Sequence, residues 1–298
     1  MGRGGRRLDR RPRRAALSAH RAAGRGRSLS TAPRGLVDSH CHLQDSAFDA
    51  DRPEVLARAA DAGVERLLVP GFDLPSSRAA VALARQHAQL LAAVGVHPHY
   101  AAETPPDAWD ELVGLAEEPE VVAVGEIGLD YFRNLSPPDI QRQAFARQLE
   151  LAANVRKPVL VHDRDAHDDI RAALLGWPGP GRSPRGVLHA FSGDVAMAAE
   201  LVGAGFLVSF ALPLTFRSAE GPRAAAASVP AGSFLTETDS PWLAPQGRGV
   251  RNEPTTVLRV VAELARLRGE SQEDVAAQVG RAFDRLIGRA VDGTSLAS

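Results

Sequence analysis

From Leu36 onward, a short apolar run is followed by a longer amphipathic stretch eight times in succession. The runs Leu36–Ser39, Arg66–Pro70, Leu91–Gly95, Val121–Gly125, Pro158–His162, Gly186–His189, Gly205–Ser209 and Ser233–Glu237 read as strands. Between them, Arg52–Ala62, Ser76–Gln89, Asp107–Glu117, Asp139–Asn154, Ala166–Leu175, Val195–Ala204 and Ala219–Ser228 carry helical periodicity, with two further helices at Pro254–Arg268 and Ser271–Ile287. Eight βα units in about 250 residues predict a closed parallel (β/α)8 TIM barrel, because an open doubly wound sheet usually stops at about five to seven strands. The barrel is expected over residues 35–290, with tails at 1–34 and 291–298.

Composition matters chiefly through its unevenness. The chain of 298 residues has a formal charge of only −1. Residues 1–34, however, hold eleven arginines and one acid, a balance of +10, and the remaining 24 basic and 35 acidic residues give the body −11. The basic segment has no apolar run to bury, so disorder is expected there. It suits an organelle transit peptide, a non-specific nucleic-acid-binding arm, or an extension without a role, and it lacks the apolar stretch of a secretory signal. No run approaches the roughly 18 apolar residues of a membrane span. A single cysteine, Cys41, excludes an intramolecular disulfide and multi-cysteine zinc sites. A cytoplasmic protein is expected, with organelle import through the arginine-rich tail as the alternative.

In a parallel barrel the chemistry belongs at the C-terminal ends of the strands, where the loops converge. Six of the nine histidines fall there: His40, His42, His97, His99, His162 and His189. Glu126 and Glu237 and the aspartates Asp38, Asp130 and Asp239 lie at the same ends. In an extended segment, residues two apart project from one face about 6.5–7 Å apart, so His40 and His42 can converge on one ion. A barrel mouth has no structural need for a ring of His, Glu and Asp. The candidate metal ligands are therefore His40, His42, Glu126, His162, His189 and Asp239. An all-nitrogen and oxygen set suits Zn, Mn, Fe or Mg. Six ligands exceed what one catalytic zinc uses, and suit two divalent ions that share a bridging carboxylate and act on a phosphate ester. An acidic body with no basic stripe cannot displace many counterions from duplex DNA, which favours strand ends, single strands or small substrates.

Six motifs in order carry a family resemblance: Asp-Ser-His-Cys-His-Leu at 38–43, Val-Gly-Val-His-Pro-His at 94–99, Gly-Glu-Ile-Gly-Leu-Asp-Tyr at 125–131, Val-His-Asp-Arg-Asp-Ala at 161–166, His-Ala-Phe-Ser-Gly at 189–193 and Glu-Thr-Asp-Ser-Pro at 237–241. Over residues 36–290 the chain resembles the TatD family of metal-dependent hydrolases, best known as DNases. The resemblance implies that His40, His42 and Asp239 bind one metal, that Glu126 bridges, and that His162 and His189 complete a second. It also implies that Asp239 takes a proton from the attacking water. His97 and His99 look substrate-facing by the same resemblance, or else cap the barrel around Pro98. Arg164 steers a phosphate, or pairs with Asp130 or Asp163. Glu237 touches the metal shell or holds backbone, and Cys41 packs away from its neighbours. Two positions depart from the common pattern, Asp163 where many members have Cys and Ala190 where others have a polar residue or Cys. The expected activity is hydrolysis of DNA ends or single strands, 3'–5', with Mg, Mn or Zn, in DNA catabolism and by a monomer. Two other readings stand beside it: an ester or amide hydrolase such as a D-aminoacyl-tRNA deacylase, and a non-catalytic nucleic-acid-binding barrel.

Overall fold

Parallel pairing runs without a break through β1 (Leu36–Asp38), β2 (Val64–Pro70), β3 (Leu90–Val94), β4 (Val121–Asp130), β5 (Val159–Arg164), β6 (Gly186–Leu188), β7 (Phe206–Phe210) and β8 (Phe234–Thr236). The computed structural model describes Met1 and residues 33–245 and 249–289. Strands buried on both faces need nearly continuous apolar sequence, and Leu67, Leu68 and Val69 of β2 or Val159, Leu160 and Val161 of β5 are fully buried. The last strand returns to the first: the Ser39 N–H donates to the Thr236 carbonyl at 3.0 Å and the Asp239 N–H to the His40 carbonyl at 2.9 Å. The Thr236 hydroxyl adds a bond to the Val37 carbonyl at 3.0 Å. The result is a nearly closed eight-stranded barrel.

Helices α1 (Arg52–Asp61), α2 (Leu74–Gln86), α3 (Pro106–Glu117), α4 (Pro138–Asn154), α5 (His167–Gly176), α6 (Val195–Gly203), α7 (Glu220–Ser228), α8 (Val257–Arg268) and α9 (Gln272–Ile287) follow the strands. Local chemistry sets their ends. Asp73 and Ser76 form a reciprocal capping box at the start of α2. Ser271 caps α9, whose far end closes on left-handed Gly288 as the Gly288 and Arg289 N–H groups donate to the Arg285 and Asp284 carbonyls. No helix among the described residues is long and apolar enough to cross a membrane.

The eight expected strands are all present, with one large difference of extent. β4 was expected to stop at Gly125 and instead runs to Asp130. Its polar second half stays in the sheet because Ile127, Gly128, Leu129 and Asp130 pair with Val161, His162, Asp163 and Arg164. Gly128 is required there: at φ +140, a Cβ would lie 2.0 Å from the His162 carbonyl oxygen. The expectations for the basic tail and for residues 291–298 fall outside the described residues, save Met1, Pro33 and Arg34.

Candidate metal centre

Two clusters of donor atoms face each other across one carboxylate. On the β1 side, the Nε2 atoms of His40 and His42 lie 3.1 Å apart. Glu126 Oε2 is 3.3 Å from the first and 3.5 Å from the second, and Asp239 Oδ1 is 3.9 and 3.6 Å from them. On the β5–β6 side, His162 Nδ1, His189 Nε2 and Glu126 Oε1 form a triangle with edges of 3.1, 3.1 and 2.8 Å. Glu126 thus gives one oxygen to each cluster. The same strand ends also bring His97 to Glu126 and His162, and His189 to His40 and Glu237, within ligating reach of common points.

The donor set fits cations. Two imidazole nitrogens 3.1 Å apart can share only one proton, and Nδ1 of both His40 and His42 is buried without a hydrogen-bond partner among the described residues. A cation accepted by both Nε2 lone pairs relieves that conflict. Burial opposes charge on His189, yet Glu126 and Glu237 hold its pKa well above the ordinary value. Burial would likewise raise Glu126, but His189, His97 and His40 hold its carboxyl well below the usual range. His40 moves the other way, lowered by burial and by His189. The mouth therefore stabilises positive charge beside Glu126 while keeping the His40 ring neutral and able to ligate.

The chain matches the family profile described as TatD related DNase over residues 37–288. The chain belongs to the TatD family. It is accordingly a metal-dependent hydrolase of the TatD type. It is 36% identical over 242 residues to the uncharacterized metal-dependent hydrolase YabD of Bacillus subtilis, covering 81% of this chain and 94% of that one. It is 36% identical to the 3'-5' ssDNA/RNA exonuclease TatD of Klebsiella pneumoniae, with 87% and 100% covered. Among solved structures, the Escherichia coli TatD homolog YjjV superposes with a TM-score of 0.79 at 32% identity, over 86% of this chain and 99% of that one.

Within this TatD barrel the remaining sequence candidates take definite places. His97 is buried, with Nε2 3.4 Å from Glu126 Oε1, and its Nδ1 accepts the His99 N–H as the cap of a short 3-10 turn over Pro98–Tyr100. Burial lowers the His97 pKa well below its ordinary value. His99 Nε2 meets Asp130 Oδ2 at 2.7 Å. Both rings line the mouth and both are packed against its carboxylates, so capping and cavity-facing positions coincide. Arg164 has no carboxylate within ion-pair reach among the described residues, contrary to the Asp130 and Asp163 pairings considered for it; its guanidinium lies over the Phe132 ring, 4.8 Å from the centroid. Cys41 is buried, with its thiol toward the Leu68 carbonyl at 3.7 Å.

Sequence reasoning placed Glu237 at the metal shell or on backbone, but gave Asp130 and Asp38 no part in holding these histidines. Asp130 Oδ2 lies 3.3 Å from His162 Nε2, the ring atom opposite the one facing Glu126, and Asp130 Oδ1 accepts the Arg133 N–H at 2.7 Å. Burial opposes ionisation of Asp130, but His162 and His99 hold its pKa far below the usual range. Glu237 Oε1 accepts the Ala190 N–H at 2.7 Å and so fixes the backbone beside His189, and it lies 3.4 Å from His189 Nδ1. Asp38 accepts the Thr238 N–H and hydroxyl at 2.9 and 2.6 Å, joining the two strand ends that carry His40 and Asp239. The cavity over the cluster measures about 670 Å³, and Phe72, Tyr100, Phe132 and Trp242 add aromatic walls.

Proposed function

We propose that this protein is a 3'–5' exonuclease on single-stranded DNA or RNA that uses two divalent ions. The observation that carries the reading is the division of Glu126, one oxygen toward His40 and His42 and the other toward His162 and His189. His40, His42 and Asp239 would hold one ion, His162 and His189 a second, and Glu126 would reach both. Bound divalent ions in such a pair lower the pKa of water and offset charge developing at phosphorus. Asp239, with a side chain 16% exposed at the cavity floor, accepts the proton released by the attacking water at its carboxylate. His97 and His99 face the incoming phosphate from the opposite wall, and Arg133 and Arg164 supply positive charge farther out. The chain shares 35% identity with the 3'-5' ssDNA/RNA exonuclease TatD of E. coli, which supports the polarity and the substrate class.

The test is digestion of single-stranded, duplex and circular DNA by protein supplied with Mg, Mn or Zn. Nucleotides should be released stepwise from the 3' end of single strands, and chelator should stop the release. Glu126→Ala and His162→Ala should each lose at least about 100-fold in rate, in line with removal of a group that stabilises the transition state. Cleavage of an aminoacyl-tRNA ester with no release from DNA would overturn the proposal.

A further inference from the structure

Two exposed aromatic side chains stand on opposite sides of the mouth. Phe132 is 63% exposed and follows β4; Trp242 is 46% exposed and follows β8. In an eight-stranded barrel of sequential order, β4 and β8 lie diametrically across from one another. Exposing large rings is costly in apolar surface, about 25 cal/mol per Å² relative to burial, so rings left open on the walls of a cavity point to a ligand that covers them.

Both rings are tied to the site floor. The Arg133 N–H next to Phe132 donates to Asp130, the carboxylate that holds His162. The Trp242 N–H donates to the Asp239 carbonyl at 2.9 Å, and the indole packs edge-on against His42 at 4.6 Å between centroids. The backbone that carries each ring is thus anchored to residues beside the cluster. On the β4 side the positive charge lies beside the ring, as Arg164 spans the Phe132 face and Arg133 is its chain neighbour. A flat apolar plane with a guanidinium alongside matches a base with its phosphate. Stacking on such a plane requires an unpaired base, because a duplex hides its base faces.

We infer that Phe132 and Trp242 are paired base-stacking platforms that receive the nucleosides on the two sides of the scissile phosphate and so select single strands. The inference rests on the nuclease reading above. With the phosphate over Glu126, one flanking base stacks at the β4 rim with Arg164 as the second layer, and the other stacks at the β8 rim. Phe132 and Trp242 are then specificity-determining residues that bind substrate and take no part in proton transfer.

The test compares wild type with Phe132→Ala, Trp242→Ala and Phe132→Tyr, all metal-loaded. One readout is binding of a fluorescent single strand whose terminal linkages are phosphorothioates; the other is cleavage of the same strand with natural linkages. Each strand is also made with abasic residues at its last two 3' positions. Loss of one stacked base weakens binding by about tenfold or more, so each alanine variant should raise Kd and KM for the intact strand by that factor and leave kcat within about twofold. On the abasic strand the variants and wild type should be equal, and Phe132→Tyr should retain wild-type values throughout. Equal losses on intact and abasic strands would mark the rings as structural and overturn the platforms. Wild-type cleavage of single strands with unchanged variants would overturn the platforms and leave the nuclease reading standing. Failure of wild type to bind or cut any strand would overturn both.

Discussion

Asp130 shows how a single buried side chain can hold two rings of the candidate centre at once. Its Oδ2 sits between His99 and His162, at 2.7 and 3.3 Å, and the Arg133 N–H holds its other oxygen. A carboxylate that accepts from one nitrogen of a ligating imidazole fixes the tautomer and aims the other nitrogen, and its loss typically costs 10–100-fold in metal affinity or activity. Asp130→Asn keeps the shape and removes the charge. It should therefore lower metal affinity by about that range, measured by competition with a chromophoric chelator, and by more than the accompanying fall in thermal melting of the metal-free protein accounts for. An unchanged affinity would show that His162 is oriented by packing alone. The six candidate ligands were legible because His, Glu and Asp at strand ends stand out against an apolar barrel. Asp130, Glu237 and Asp38 were harder to assign, because an acid that serves another residue has no spacing signature. The partners of Asp130 lie 31 and 32 residues away, and Asp38 reaches 200 residues to Thr238.

At the scale of elements, the long connection from β8 to α8 is the part that local sequence explains least and the site depends on most. It carries Asp239 and Trp242 and is anchored by Asn252, which is buried. The Asn252 side chain donates to the Thr238 carbonyl at 2.9 Å and accepts from the Glu253 N–H and the Thr256 hydroxyl at 2.9 and 2.8 Å. Leaving one such buried group unpaired costs about 1–3 kcal/mol. Asn252→Ala should accordingly lower the unfolding free energy by roughly 2–4 kcal/mol, read from denaturant melts, and reduce activity more than that loss of folded protein accounts for. Beside it, Arg251 grips Asp51 through both nitrogens at 2.5 and 2.8 Å, and Arg58 joins Asp51 to Glu253. Hydrogen bonding from Arg251, aided by Arg58, lowers the Asp51 carboxyl to about 2. A depressed carboxylate adds stability above its unfolded pKa, near 4, and loses that contribution as pH falls toward the folded value. The melting temperature of Asp51→Asn should thus lie a few degrees below wild type at neutral pH and converge with it between about pH 4 and 2; a gap that persists at pH 2 would contradict the assignment. Eight strands were readable because each needed a continuous apolar run. The extension of β4 was not, since Gly-Glu-Ile-Gly-Leu-Asp has the composition of a loop and is held extended by β5.

Over the whole molecule, a formal charge of −1 hides the separation that governs encounter with a polyanion. Removing residues 1–32 takes away ten arginines and one acid and leaves 25 basic against 35 acidic residues, a charge of −10. The barrel alone then carries net negative charge against nucleic acid at long range, and the mouth is where the cations its donor set would hold and the arginines near Phe132 would add positive charge. Repulsion of this kind acts over about 10 Å at 0.1 M salt and about 3 Å at 1 M, so it slows association at low ionic strength and disappears at high. Full-length chain and the 33–298 truncation should therefore differ in kcat/KM on single strands by several-fold near 0.02 M salt and coincide near 0.5 M. Their kcat should be equal at every salt, because no residue of the cluster lies in the deleted part. The sign of the slope separates the possible roles of the tail. If its arginines neutralise phosphates, kcat/KM of the full chain falls with salt while that of the truncation rises or stays level. If both forms show one slope, the tail takes no part in capture, and the acidic barrel reaches its substrate through the field of its mouth alone.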